Sequence, residues 1–198
     1  RGLGDVYKRQ LQQELPIIEK PIVIDASQRY TLDASANSQV LVIDGSRITT
    51  SSESTFVTRG DEVNGLVLGE DASADVSNIF RPLPSTVSSL RFGGFEQGAA
   101  VVVDGASNVL LDNLVIGQDS NNLSQAVRYG IRVTGDSGLD GPVSIVGGLI
   151  TSASIPTNSQ LPASTPAVTP FLDGAGVLLD DEAQNVQIVG TTVGSSIA

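Results

Sequence analysis

The 198-residue chain contains no Cys, no His, no Met and no Trp, and only 4% of it is aromatic. The missing cysteines exclude disulfides, thiolate metal sites and cysteine nucleophiles. Without histidine there is no Ser-His-Asp or Cys-His hydrolase set, no histidine-ligated zinc or non-haem iron, and no imidazole acid-base step within these residues. Basic charge is also scarce: 11 Lys+Arg stand against 22 Asp+Glu, a net charge of −11. No basic stripe is present to neutralise phosphates, so nucleic acid is not an expected partner. An anionic membrane surface is equally unattractive. No run approaches the roughly 20 apolar residues of a membrane span, Ala99–Val103 being among the longest, so no membrane insertion is expected.

The absence of Met means that no translation start is present, and the first ten residues, RGLGDVYKRQ, differ in character from all that follows. They resemble the translation of a transposon-based sequencing adapter, with DVYKRQ as its invariant end, which implies an assembled environmental (metagenomic) read. Residues 1–10 are therefore set aside as a scar, as a fusion linker would be, and residues 11–198 are read as one domain, a fragment truncated at both ends. Without the scar Lys+Arg falls from 11 to 8 and Asp+Glu from 22 to 21, so the net charge becomes −13.

What is there is aliphatic and short. Apolar residues make up 40% of the chain and arrive in runs such as Ile22–Ile24, Val40–Ile43, Leu66–Leu68, Val101–Val103, Val109–Leu111 and Val177–Leu179. Each run is closed within a few residues by Asp, Gly, Ser or Asn. Short β-branched runs between turn residues read as strands, and no helical stripe competes with them. The one exception is Leu11–Leu15.

Internal repetition selects among all-β folds. AVVVDGASNVLLDNLVIG (100–117) aligns with GVLLDDEAQNVQIVGTTVG (176–194) after one inserted residue, and GIRVTGDSGLDGPVSIVGGLI (130–150) keeps the same order of strand, turn, strand and bend. Three successive rungs of about 18 to 22 residues follow, the length of one solenoid coil. Asn108 and Asn185 share one place in their rungs, before a strand-starting Val, and read as a corner pair or ladder; the middle rung has Pro142 there. The N-terminal third repeats a smaller unit, strand then Asp-(Ala/Gly)-Ser, at Asp25, Asp33 and Asp44. Such Asp side chains accept from main-chain amides two residues on, which makes them corners. Two stretches interrupt the repeat and read as surface insertions, near 71–89 and 151–169, the second too rich in Pro for a ladder.

The stretch LPIIEKPIVIDASQ (15–28), followed by LDAS and later GLVLG, resembles the opening rungs of large secreted right-handed parallel β-helix proteins. The resemblance to this pectate-lyase-like superfamily covers nearly all of 15–198. It implies an all-β, right-handed parallel β-helix of about six or seven coils with a dry aliphatic interior. Val101, Val103, Val177 and Leu179 would point inward, and rings would be disfavoured there. It also implies an extracellular or cell-surface location, polysaccharide or surface glycans as partners, and further coils of the same chain at both ends.

Lyases of this superfamily hold Ca²⁺ on clustered carboxylates and use a basic side chain to abstract a proton beside a uronate. The corresponding candidates are Asp104, Asp112, Asp180, Asp181 and Glu182, with Arg128 and Arg132 flanking Tyr129. Asp104 and Asp180 are equivalent by the rung alignment, with Thr134 between them, yet each follows a strand where a solvated corner Asp is the ordinary occupant. Glycosidases of the polygalacturonase type need a Gly-His-Gly segment that a histidine-free chain cannot supply. No catalytic set emerges. The expected role is a structural, adhesive or glycan-binding solenoid segment of a larger protein, with no resident cofactor. The alternatives are a calcium-dependent polysaccharide lyase with an incomplete site and, from another fold class, an antiparallel β-sandwich module.

Overall fold

In the computed structural model the described residues are 9–11, 13–27, 41–48, 63–70, 85–119, 122–151, 175–180 and 182–194. Asp33, Asp181, residues 71–84 of the first expected insertion and 152–169 of the second lie outside them. The strands in chain order are β1 (Arg9–Gln10), β2 (Val23–Asp25), β3 (Val42–Asp44), β4 (Leu66–Leu68), β5 (Ser85–Ser88), β6 (Arg91–Gly93), β7 (Phe95–Asp104) and β8 (Val109–Asp112). They continue as β9 (Val115–Ile116), β10 (Val127–Thr134), β11 (Val143–Val146), β12 (Leu149–Ile150), β13 (Ala175–Leu179), β14 (Val186–Val189) and β15 (Thr192–Val193). No α-helix is present among the described residues, and no helix there is long and apolar enough to cross a membrane. Leu11, the start of the possible helical turn, instead donates its amide to the Asp44 carbonyl at 3.0 Å.

These strands build three sheets, ordered β1-β3-β6-β9-β12-β15 (sheet A), β4-β7-β10-β13 (sheet B) and β2-β5-β8-β11-β14 (sheet C). From β3 onward the chain visits A, B and C in strict rotation, and every strand pairing is parallel. The protein is all-β with parallel sheets, an arrangement compatible with a solenoid. An antiparallel sandwich would require the opposite pairing, and the single antiparallel contact among the described residues is the isolated bridge Gln118↔Ser124.

The rungs aligned by sequence coincide in space: Ile131 pairs with Val101 and Val177, Val143 with Val109 and Val186, and Leu149 with Val115 and Thr192. Two boundaries differ from the sequence reading. Ser85–Ser88, at the end of the first expected insertion, is a ladder strand whose Val87 lies between Ile24 and Leu111. Arg9–Gln10, set aside with the scar, pairs with Ile43 and Asp44; strand pairing runs through main-chain amides and carbonyls, which any extended residues before Leu11 would supply.

Alternation along each strand sends one side chain in and the next out, and register stacks the inward ones in columns. Leu66, Val101, Ile131 and Val177 form one column of sheet B, with Leu68, Val103, Val133 and Leu179 beside it. Sheet C contributes Ile24, Val87, Leu111, Ile145 and Ile188, and sheet A contributes Ile43, Phe92, Ile116, Ile150 and Val193. The middle members of every column are buried in one continuous core. Contrary to the expectation that rings would be disfavoured inside, Phe92 and Phe95 are the largest fully buried side chains. Glycine makes the room for Phe95: a Cβ on Gly45 would come within 2.5 Å of its ring, and one on Gly65 within 2.9 Å.

Corners stack as regularly as strands. Where the chain passes from sheet C to sheet A, Ser89, Asn113, Gly147 and Gly190 all take positive φ, at 57°, 49°, 61° and 67°. Their amides climb the stack, Ser89 to the Asp112 carbonyl at 3.0 Å, Asn113 to Val146 at 2.8 Å and Gly147 to Val189 at 2.8 Å. Glycine adopts this left-handed conformation freely and Asn tolerates it.

Candidate functional site

Chemistry-bearing side chains gather on the outward face of sheet B and at the corner where its strands end. Outward positions of β4, β7, β10 and β13 align as Val67, Val102, Arg132 and Leu178, beside Ala99, Tyr129 and Ala175. These form a second, smaller apolar cluster. Arg132 is thus a cation set among aliphatics. Its Nη2 donates to Asp180 Oδ2 at 2.8 Å, the two side chains being 10% and 24% exposed. Asp180 lies two residues beyond Leu178, the partner of Arg132, and so on the same face one strand over. Arg128 lies over the Tyr129 ring at 5.0 Å from its centroid, a cation–π contact.

A buried guanidinium that loses its carboxylate keeps its desolvation cost, whereas Asp180 is open enough to rehydrate. Asp180→Ala is therefore expected to lower stability by roughly 2–3 kcal/mol, and Arg132→Met by clearly less. Urea unfolding midpoints of the two variants check the order; equal losses would contradict this asymmetry.

Beside this face a cleft of about 390 Å³ runs along the B-to-C corner, lined by Ile17, Glu19, Gly69, Glu70, Asp104, Gly105, Gly135 and Asp136. Its acidity comes from repetition. At this corner successive rungs carry Ile18-Glu19, Gly69-Glu70, Val103-Asp104 and Gly135-Asp136, so carboxylates line one edge of the stack. Gly105 and Gly135 take positive φ, 73° and 61°, and a Cβ on either would come within 3.2 Å of a cleft carboxylate side chain, Glu70 or Asp104.

The sequence candidates separate into different environments. Asp104 pairs with Thr134, and Thr134 precedes the level of Asp180, so two rung steps of about 4.8 Å each divide the two aspartates. Asp104 faces the cleft while Asp180 is bound to Arg132. Glu182 is exposed at φ 66°, and Asp112 ends β8 at the other end of sheet C's strands. Among the described residues no three His, Cys, Asp or Glu side chains are grouped to hold a metal ion. Asn108 and Asn185 both take the left-handed conformation, φ 53° and 46°. The Asn108 side-chain amide donates to the Asp140 carbonyl of the intervening rung at 3.3 Å, so its bond is to main chain and not to a second Asn.

At the C-to-A corner Asp25 Oδ1 accepts from the Ser27 amide at 2.8 Å and from the Ser88 hydroxyl at 3.1 Å, and at the A-to-B corner Asp44 Oδ1 accepts from the Ser46 amide at 2.9 Å. The Ser27 hydroxyl, then its amide, then Ser88 hold the Asp25 carboxyl below the ordinary aspartate range, against an opposing desolvation effect. A pKa lower in the folded than in the unfolded chain stabilises fully above the unfolded value and is lost as pH falls through the folded one. Asp25→Asn is expected to flatten the pH dependence of stability below about pH 4 and to leave it unchanged near neutrality. Acid titrations of both proteins, followed by circular dichroism, measure this.

The sequence reading missed the Arg132–Asp180 pair and the roles of Glu19, Glu70 and Asp136. A signal for the pair was present: once 130–150 is laid on 176–194, Arg132 and Asp180 fall two positions apart on adjacent strands. No protein-family model, curated protein or solved structure matches this chain.

Proposed function

We propose that the chain is a segment of a right-handed parallel β-helix of the pectate-lyase-like type, a stiff structural or adhesive element of a larger extracellular or cell-surface protein. The observation that carries the reading is the strict rotation through three in-register parallel ladders. Parallel crossovers are right-handed in about 98% of cases, which supports the hand. Among the described residues six strands of sheet A, from β1 to β15, span five rung steps, about 24 Å of rod at the inter-strand spacing. The acid-lined cleft is the glycan-facing surface. Its carboxylates accept hydrogen bonds from sugar hydroxyls and, with no cation to bridge them, repel uronates, which favours a neutral glycan.

Retention of the protein on cellulose, chitin and polygalacturonate, at physiological salt, tests this. Binding to a neutral polymer that is lost in the Glu70→Lys/Asp136→Lys variant supports the adhesive reading. Retention on none of them overturns it. Calcium-dependent ultraviolet absorbance of an unsaturated product from polygalacturonate would establish the lyase reading in its place.

A further inference from the structure

Between β9 and β10, where the chain passes from sheet A to sheet B, it leaves the ladder and returns on itself. Gln118 bridges Ser124 in antiparallel fashion, and the Gln125 amide donates back to the Gly117 carbonyl at 2.8 Å. Asp119 ties the projecting turn together. Its carbonyl accepts from the Asn122 amide at 3.1 Å, its amide donates to the Leu123 carbonyl at 2.9 Å, and its Oδ1 accepts from the Leu123 amide at 2.9 Å. The base of this hairpin rests on Gly93, where a Cβ would come within 2.9 Å of Gln125. Arg91 fastens the tip, its Nη1 donating to the Asp119 carbonyl at 3.0 Å and to Asn122 Oδ1 at 2.6 Å. The tip carries Asn122-Leu123-Ser124, the one Asn-X-Ser/Thr triplet in the chain. All of its members are exposed, Leu123 by 61%.

We propose that Asn122 is the acceptor of an N-linked glycan. Such a triplet is recognised through its carboxamide and the hydroxyl two residues on, and its bulky product belongs on a surface loop. Asn122 meets that condition: its φ of 61° sets it in a turn and not in a ladder. Arg91 engages only Oδ1, and Nδ2, the atom that would carry the sugar, has no hydrogen-bond partner among the described residues. In the transfer Nδ2 attacks C1 of an oligosaccharide borne on a polyprenyl pyrophosphate. The Nδ2–C1 bond forms, the C1–O bond to the pyrophosphate breaks, and one Nδ2 proton passes to a base of the transferase. Oδ1 is not consumed, so the Arg91 bond persists in the product and the hairpin keeps its anchor. The inference rests on the extracellular reading above, because this donor is met on the secretory route. The hairpin lies at an A-to-B corner and the acid-lined cleft at the B-to-C corner, so glycan occupancy and polymer retention are independent readouts.

Secretion of the full chain from cultured eukaryotic cells, behind a cleavable signal peptide, tests this. A glycoform is expected that a peptide-N-glycosidase releases without denaturation, leaving aspartate at position 122 in peptide mass spectra. Asn122→Gln and Ser124→Ala should each abolish it, and Ser124→Thr should keep it. Release from the folded protein also reads the hairpin, because a site packed against the stack would yield only after unfolding. A secreted chain without the modification would overturn the proposal, as would a glycan that persists in Asn122→Gln or that is released only after denaturation. If the chain or a variant is not secreted, translation into microsomes gives the same comparison by band shift, and a translocated, unshifted wild-type chain overturns the proposal there too. Absence of retention on every polymer, measured on unglycosylated protein, would count against the adhesive reading and leave the glycosylation result standing.

Discussion

Replacing Phe92 with alanine is expected to lower the unfolding free energy by about 3–5 kcal/mol, the range for deleting a fully enclosed ring. Phe92 is fully buried between Ile43 and Ile116 in the sheet A column. Its neighbours are pinned by parallel ladders above and below, so they cannot collapse into the space. Ile188→Ala provides the contrast: this side chain is inward by register yet 46% exposed, and its truncation should cost under about 1 kcal/mol. The two are read from urea midpoints on the same day and with the same probe. Losses of similar size would mean that the interior is not a dry, packed stack, and the column picture would fail with it. Because solenoid rungs couple mainly to their neighbours, hydrogen exchange should also show Phe92→Ala loosening β3, β6 and β9 before β13–β15.

The rung alignment was legible because it ignored spacing. Ser85, Val109, Val143 and Val186 stand in one column, yet are separated by 24, 34 and 43 residues, so no fixed period of 18 to 22 describes the rung-to-rung step. The excess lies between strands, and only the matching of aliphatic runs to turn residues sees past it. The inward direction of Val101 and Val103 follows from alternation alone. Rings in the interior did not, because the space for Phe95 is made by Gly45 and Gly65, 50 and 30 residues away, and nothing local to Phe95 announces it. β5 was read as insertion because Ser85, Thr86 and Ser88 look like loop; its single inward aliphatic, Val87, is enough when both neighbouring strands supply the ladder. The cleft was half legible. Asp104 was singled out by its place after a strand, but Glu19, Glu70 and Asp136 fall at the same corner by a rule of position, one or two residues past the sheet B pairing, that is visible only after the sheets are assigned.

Glycines 147 and 148 give the sharpest prediction, because two adjacent residues with nearly the same backbone should respond in opposite ways. Both have positive φ, 61° and 79°. A Cβ on Gly147 would meet nothing closer than Asn113 main chain at 3.9 Å, and Asn113 itself occupies that position one rung below at φ 49°. Gly147→Asn is therefore expected to change stability by less than about 1 kcal/mol, since Asn accepts the left-handed region at small cost. A Cβ on Gly148 would lie 2.3 Å from the Leu114 carbonyl oxygen and 2.8 Å from its nitrogen. That oxygen accepts the Leu149 amide at 2.8 Å, so it cannot retreat without breaking the ladder between β9 and β12. Left-handed strain of about 1–2 kcal/mol adds to a main-chain collision of the overpacking kind, about 1–3 kcal/mol, and Gly148→Ala should cost roughly 3 kcal/mol or more. Its effect should be local in hydrogen exchange, with Leu149 and Thr151 amides losing protection first because they donate to Leu114 and Ile116. A neutral Gly148→Ala would show that the two rungs are not stacked at this corner in solution. A damaging Gly147→Asn would show that the column of positive-φ residues is not one repeated turn. Either result would count against the stacked corners that let the chain turn from sheet C to sheet A in successive rungs.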